Sequence, residues 1–393
     1  MSTVPPDLAA LVKAYADELV GVRRDLHLHP ELSWAEVRTT RVLRDRLLGA
    51  GLDPIVLPTG TGLVCDIGPA GPAVALRADL DALPIADSKD VSYASTVPGV
   101  SHACGHDVHT AVVLGAGLVL ADLAREGALP GRVRLIFQPA EESARSGALA
   151  VIDAGGLRDV ERIFALHCDP RKDVGQVGVR TGPITASADQ LTVRLSGAGG
   201  HTARPHLTGD LVYALGRVVT DLPAAMSRRV DPRASMSVVW GRVSAGRAAN
   251  AIPQSGEAEG TLRCLDPEAW RDAPQLVDEL VQAIVAPYGV TAEVRYVRGV
   301  PPVDNEANSV EILSAATVAT EGQEALVSTE QSLGGEDFAW YLDSAPGALA
   351  RLGVRHPEER GTRDLHQGFF DVDERAISVG VRVLVASVLL SLA

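Results

Sequence analysis

Residues 133–167 read VRLIFQPAEESARSGALAVIDAGGLRDVERIFALH, and this stretch decides the fold. Val133 to Phe137 is a short apolar run closed by Gln138-Pro139, the length of a strand rather than of a helix. Residues 146–154 follow with helical spacing, and a second apolar run, Arg162 to Leu166, returns the chain to a strand. Strand, helix and strand in one stretch form a βαβ unit. Its two strands lie parallel, because the helix carries the chain back across the sheet.

Outward from this unit the same grammar recurs. Ala73 to Ala78 predicts another buried strand and 109–125 a helix, while 307–320, 348–354 and 373–390 predict helix, strand and helix. Asp371 and Glu374 are placed as a capping box for the last of these. Leu8, Leu11, Val12, Tyr15, Leu19 and Val22 give an amphipathic opening helix that stops near His29-Pro30. From 186 to 299 the order changes to strand 189–196, helix 209–229, strands 234–243 and 255–264, helix 267–287 and strand 291–298. That is the split β-α-β-β-α-β pattern of a ferredoxin-like domain. The expected fold is α/β: a discontinuous domain, 1–185 and 300–393, on a mostly parallel sheet, with a second domain, 186–299, inserted between its halves.

Composition narrows the function. At 393 residues and 46% hydrophobic the chain buries a large core, and a formal charge of −14 repels nucleic acid phosphates. The opening residues show no basic region followed by an apolar one, and the longest apolar runs, 111–121 and 383–393, are too short to span a bilayer, so a cytoplasmic protein without membrane or nucleic acid partners is expected. Four cysteines without short spacing exclude a disulfide scaffold and a CxxC zinc module. Gly197 to Gly200 lacks the setting of a dinucleotide loop, and no Gly-x-Ser-x-Gly occurs. Chemistry on a small molecule remains.

Three predicted strands hand acidic or metal-binding residues to their C-terminal ends, the edge outside which open α/β sheets bind ligands. Val74 to Leu76 leads to Asp79 and Asp81, Val133 to Phe137 leads to Glu141 and Glu142, and Ile163 to Leu166 leads to His167. Between the first two strands, HACGHDVH (102–109) sets Cys104, His106 and further donors just before a helix, above the same edge. Thiolate, imidazole and carboxylate together suit zinc-like ions, and a pair of ions with open coordination accepts water and substrate. A lone histidine here reads better as a satisfied core group; the joint arrangement at three strand ends outweighs that reading. Glu141 and Glu142 diverge on entering the loop, so one binds an ion while the other stays free as a general base, and the pattern leaves open which is which. Asp79, Asp81 and Asp107 lie near enough to orient a ligand imidazole.

The segments RRDLHLHPELSWAE, ALRADLDALPI, HACGHDVHTA, IFQPAEES, ALHCDP, GGHTARPH, GGEDFAWYL and LHQGFFDVDE, in this order from 23 to 374, resemble those of the metal-dependent amidohydrolase family of hippurate hydrolases, N-acyl-amino-acid amidohydrolases and auxin-conjugate hydrolases. The resemblance implies a dinuclear metallohydrolase domain with an inserted lid. It implies five metal ligands, Cys104, His106, Glu142, His167 and His366, with Glu141 as the base and an aspartate kept at Asp81. It places Gly199-Gly200-His201 in the lid, with His201 supporting the oxyanion, and it implies a homodimer through that lid. The implied reaction is hydrolysis of the amide bond of N-acyl amino acids or small peptide-like conjugates. Two divalent ions would serve it; a thiolate favours zinc, nickel or cobalt over manganese, and zinc is the leading expectation, with manganese, nickel or cobalt as alternatives. The chain departs from the family at Ser143-Ala144-Arg145-Ser146, at Gln367-Gly368 and at residues 97–101, all around the ligands and none of them a ligand.

Overall fold

The βαβ unit forms from strand Arg132–Gln138, helix Gly147–Asp153 and strand Val160–Asp173. The structure is a computed structural model; it describes residues 4–358, 361 and 363–393, which divide into two units. The first unit comprises the chain through Gly182, Asn305–Glu330 and Trp340–Ala393. Its sheet has, among the described residues, eight strands in the order Ile55–Val56, Leu63–Ile67, Arg132–Gln138, Ala73–Asp79, Val160–Asp173, Gly347–Arg355, Val177–Val179 and Leu326–Ser328. The four central strands are parallel, with Asp79 opposite Gln138, Leu76 opposite Phe164 and Arg351 opposite His167. Antiparallel pairs flank that centre.

Helices cover the sheet, so its central strands are largely buried on both faces and carry apolar runs such as 73–76 and 135–137. Leu8–Leu28, His106–Arg125 and Arg375–Ser391 pack together closely enough that a Cβ on Gly115 would lie 2.5 Å from Leu19 and 2.7 Å from Val381. His106–Arg125 has the length and apolar composition of a membrane span, but 89% of its most apolar window is buried inside the unit, as befits a core helix. Burying each large apolar side chain here, Phe137 and Phe164 among them, contributes about 1.5–3 kcal/mol.

Two features differ from the sequence reading. His167 does not end its strand, which continues to Asp173 alongside Gly347–Arg355. Asp371 and Glu374 form no capping box: Glu374 precedes Arg375–Ser391 without a side-chain cap bond. Glu374 instead accepts from Arg23 at 3.2 Å and Arg24 at 2.9 Å, and Asp371 accepts from Arg23 at 3.3 Å. The competition is uneven, since unpairing a buried guanidinium costs about 3–5 kcal/mol and losing a cap about 1 kcal/mol.

The second unit spans Pro183–Asp304 and Gln331–Ala339. Its chain order is strand Asp189–Ser196, helix Leu211–Arg229, strands Ser237–Ala245 and Ser255–Arg263, helix Pro267–Val285 and strand Thr291–Val297. The strands form an antiparallel sheet with Ser237–Ala245 and Thr291–Val297 at its edges. Asp210 and Asp266 cap the helices by accepting from the backbone of Tyr213 and Ala269.

Candidate metal centre

The HACGHD turn depends on Gly105. Its φ is +84°, and a Cβ there would lie 2.7 Å from the Cys168 sulfur. This turn starts the His106–Arg125 helix and sets Cys104 and His106 on either side of one glycine. The His106 ring is oriented by the main-chain oxygen of Asp81, 2.8 Å from Nδ1, so the proton resides on Nδ1 and Nε2 offers a lone pair. That Nε2 is buried and meets no hydrogen-bond partner. His167 repeats the device: Nδ1 donates to the Cys168 main-chain oxygen at 2.8 Å, and Nε2 lies 3.6 Å from the Cys104 sulfur. Glu142 Oε1, buried and without a hydrogen bond of ordinary geometry, stands 3.3 Å from His366 Nε2 and 3.9 Å from His106 Nε2.

Donor atoms of Cys104, His106 and His167 lie within 4.8 Å of one another, and so do those of Cys104, Glu142 and His366. The two sets share the Cys104 sulfur. A third set joins His106 to Glu141 and Glu142. A thiol, imidazoles and carboxylates converging in this way suit a cation. The titration behaviour agrees. Burial pushes the Cys104 thiol up to about 12. Burial, and then the charge of Arg351, holds His167 well below its ordinary range. Burial works against a charged His106 as well, yet Asp79 and Cys104 hold it well above that range. Burial thus disfavours a thiolate left without a cation, and the thiol, imidazole and carboxylate set fits divalent ions with soft and borderline ligands.

The neighbouring aspartates sort themselves by their partners. Asp79 spends both oxygens, accepting from His109 Nδ1 and from Arg77, each at 2.7 Å, while His109 Nε2 accepts the Cys168 N–H at 2.8 Å. These bonds tie Asp79 and His109 to the strand ends, and their ligand atoms also come within 4.8 Å of one of His106. Asp107 accepts from Arg23 at 2.8 Å and pairs with His27 at 2.7 Å, which makes His27 a structural group. Asp81 accepts the backbone N–H groups of Glu141 and Glu142, each at 3.0 Å, and the Ser33 hydroxyl at 2.7 Å. Its carboxylate fixes the glutamate pair, and its main-chain oxygen, closer than the carboxylate at 3.4 Å, orients His106.

His366 is brought to Glu142 by a turn in which His366 itself has φ +62°, anchored by its N–H on the Ala103 oxygen at 2.8 Å. Trp34 and Ala140 also take left-handed φ, +67° and +52°, so three such non-glycine residues border the donors; strain of this kind collects at functional sites. His201 belongs to the second unit, exposed on the short strand Gly200–His201 paired with Ala251–Ile252. Its Nδ1 accepts the Ala203 N–H at 3.0 Å, so its proton is on Nε2, the donor tautomer. Sequence reasoning attached no role to the Ser33-Trp34-Ala35-Glu36 segment, although Ser33 and Glu36 both bond to the strand-end residues; SWAE lies inside one of the family-like segments, which was the available signal.

A mixed α/β chain that gathers thiol, imidazole and carboxylate donors beside its parallel strands belongs to the metal-binding hydrolases. The chain belongs to peptidase family M20/M25/M40, whose model matches residues 75–390, and it is a hydrolase acting on amide bonds. Among its relatives, a putative glutamate–cysteine ligase 2-3 of Rhodococcus jostii is 53% identical over 371 residues; the match takes in 94% of this chain, which therefore spans about half (46%) of that longer protein. N-acetylcysteine deacetylase of Bacillus subtilis is 39% identical over 93% of this chain and 95% of its own. The crystal structure of Bacillus subtilis YXEP, described as a dinuclear metal-binding peptidase from the M20 family, superposes with a TM-score of 0.84 at 36% identity, covering 97% of this chain and 99% of that one.

Proposed function

We propose that the protein hydrolyses the amide bond of N-acyl amino acids, with two divalent ions held by Cys104, His106, Glu142, His167 and His366 and with Glu141 as general base. The observation that carries this reading is the convergence of two donor sets, Cys104 with His106 and His167 and Cys104 with Glu142 and His366, on one shared sulfur. When bound, the ions would polarise the scissile carbonyl and make a water acidic near neutral pH. Cys104 and Glu142 supply negative charge to them, and His106 and His167 are held by their Nδ1 bonds with Nε2 presented. Glu141, its N–H held by Asp81, takes the proton of the attacking water and returns it to the leaving nitrogen. His201, in its Nε2–H tautomer, donates to the developing oxyanion.

Cysteine recurs in the names of the relatives at 53% and 39% identity, so N-acetyl-L-cysteine leads the substrate panel, followed by other N-acyl amino acids and dipeptides. Zinc is the preferred ion on its thiolate ligand, with nickel, cobalt and manganese as the alternatives to restore after chelation. We propose a homodimer through the second unit, supported by its edge strand Ser237–Ala245, on which Val239 and Val243 are exposed. Sedimentation of the intact chain tests the dimer. For the mechanism the decisive variant is Glu141→Gln, which retains about two ions per chain and loses turnover by about 10²–10⁴-fold. Undiminished hydrolysis by that variant removes Glu141 from the mechanism.

A further inference from the structure

Four residues separate the first helix from Ser33-Trp34-Ala35-Glu36, which contributes to none of the donor sets. Three of its four side chains nevertheless reach the glutamate turn or the carboxylate that holds it. The Ser33 hydroxyl donates to Asp81 Oδ2 at 2.7 Å, Trp34 Nε1 donates to the Ser143 oxygen at 3.1 Å, and Glu36 Oε1 accepts the Ala140 N–H at 2.8 Å. With Asp81 on the next two N–H groups, the consecutive amides of Ala140, Glu141 and Glu142 end on two carboxyl groups. Ala140 pays about 1–2 kcal/mol for its left-handed backbone, so the turn keeps this shape only while its surroundings hold it.

Glu36 does not serve its own helix. It stands at the N-cap of Val37–Gly49 without a side-chain cap bond, and the N–H groups of Arg38 and Thr39 are taken by Glu31 at 2.9 and 2.8 Å. The Glu36 side chain is fully buried, and its second oxygen meets no partner. Burial, reinforced by the charge of Asp81, pushes its carboxyl up to about 7, which keeps much of it a neutral acceptor for the Ala140 amide.

We propose that Glu36 is a positioning residue for the general base: it fixes the peptide that enters Glu141 and thereby, together with the Asp81 hold on the Glu141 and Glu142 amides, aims the Glu141 carboxylate. This rests on Glu141 being the base. The test compares Glu36→Ala, Glu36→Asp and Glu36→Gln with Glu141→Gln in the full, metal-loaded chain, reading kcat, KM and ions per chain. Glu36→Ala lowers kcat about 10–100-fold with KM within about threefold and metal content unchanged, the loss that a displacement of about 1 Å brings. Glu36→Asp, which withdraws the acceptor by one methylene and guards against an Ala variant that does not fold, lowers kcat in the same direction. Glu36→Gln keeps a neutral acceptor and restores kcat to within about threefold. Wild-type kcat in both the Ala and Asp variants overturns the proposal, as does a Gln variant no better than Ala, or a loss of bound metal in step with kcat. If Glu141→Gln itself keeps turnover, the assignment of the base fails instead, a result distinct from any of these.

Discussion

Asp81→Asn is the substitution for which the structure gives the most definite expectation. Asp81 is buried and its carboxylate accepts three hydrogens, the N–H groups of Glu141 and Glu142 at 3.0 Å each and the Ser33 hydroxyl at 2.7 Å, with His106 Nδ1 lying 3.4 Å away. Burial opposes its charge, but His106, Ser33 and the Glu142 amide hold the carboxyl below its ordinary range. Asparagine has the same shape and one oxygen. With that oxygen on the Glu142 and Ser33 side, its NH₂ faces the Glu141 N–H, donor against donor, and strands a buried amide at about 1–3 kcal/mol. The surviving bonds lose their charge assistance, which brings the total to about 3–5 kcal/mol. The stranded amide belongs to Glu141, so the effect falls on kcat, by about 10–100-fold, while the loosened His106 and Glu142 lower metal affinity by a similar factor. Turnover of an N-acyl amino acid at saturating zinc gives the first quantity, and competition with a chelating dye gives the second. A variant within twofold of wild type in both would refute the clamp.

Three further expectations follow from single features. Cys104→Ser removes the sulfur common to both donor sets, so bound zinc falls from about two ions to below one per chain at equal free metal, read by elemental analysis after dialysis. Gly147→Ala places a Cβ 1.6 Å from the Pro139 oxygen and pushes on the turn that precedes Glu141, lowering the thermal midpoint by at least the equivalent of about 1–3 kcal/mol and reducing kcat with it. For Glu36, a folded-state value of about 7 against 4.5 means that the unfolded chain ionises first as pH rises. The stability tied to its protonated form is complete below about pH 4.5 and lost through pH 7, a loss of about 3 kcal/mol at most. Glu36→Gln therefore gains stability relative to wild type across that interval and holds the gain above it, as denaturant melts at pH 4.5, 6 and 8 would show.

The parallel centre was legible in sequence because strands buried on both faces, such as Ala73–Asp79, begin as apolar runs and turn polar only where they approach the site, at Arg77 and Asp79. Strand Asp189–Ser196 was legible for the opposite reason, since buried and exposed residues alternate along it. Helix Val37–Gly49 was missed, its arginines and aspartate outnumbering the few side chains it buries. The capping box failed because the competitor for Glu374, Arg23, lies 351 residues away, beyond any local rule. In the site, Glu141, Glu142 and His167 were readable from the strands that carry them. His366 sits on an isolated left-handed turn with no periodicity to announce it, and only resemblance singled it out. Glu36 is separated by 104 residues from the amide it holds, so its role is written in the tertiary structure alone.

The strand order of the first unit also has a consequence for synthesis on the ribosome. Gly347–Arg355 lies between Val160–Asp173 and Val177–Val179, although nearly half the chain separates it from them in translation. Until it emerges, the strand bearing His167 presents an open edge of unpaired amides to other nascent chains, whereas the second unit has already received all the strands of its four-stranded sheet. His366 follows later still. Growing chains are thus exposed to edge-to-edge association over this interval, and loading with metal belongs to the finished polypeptide.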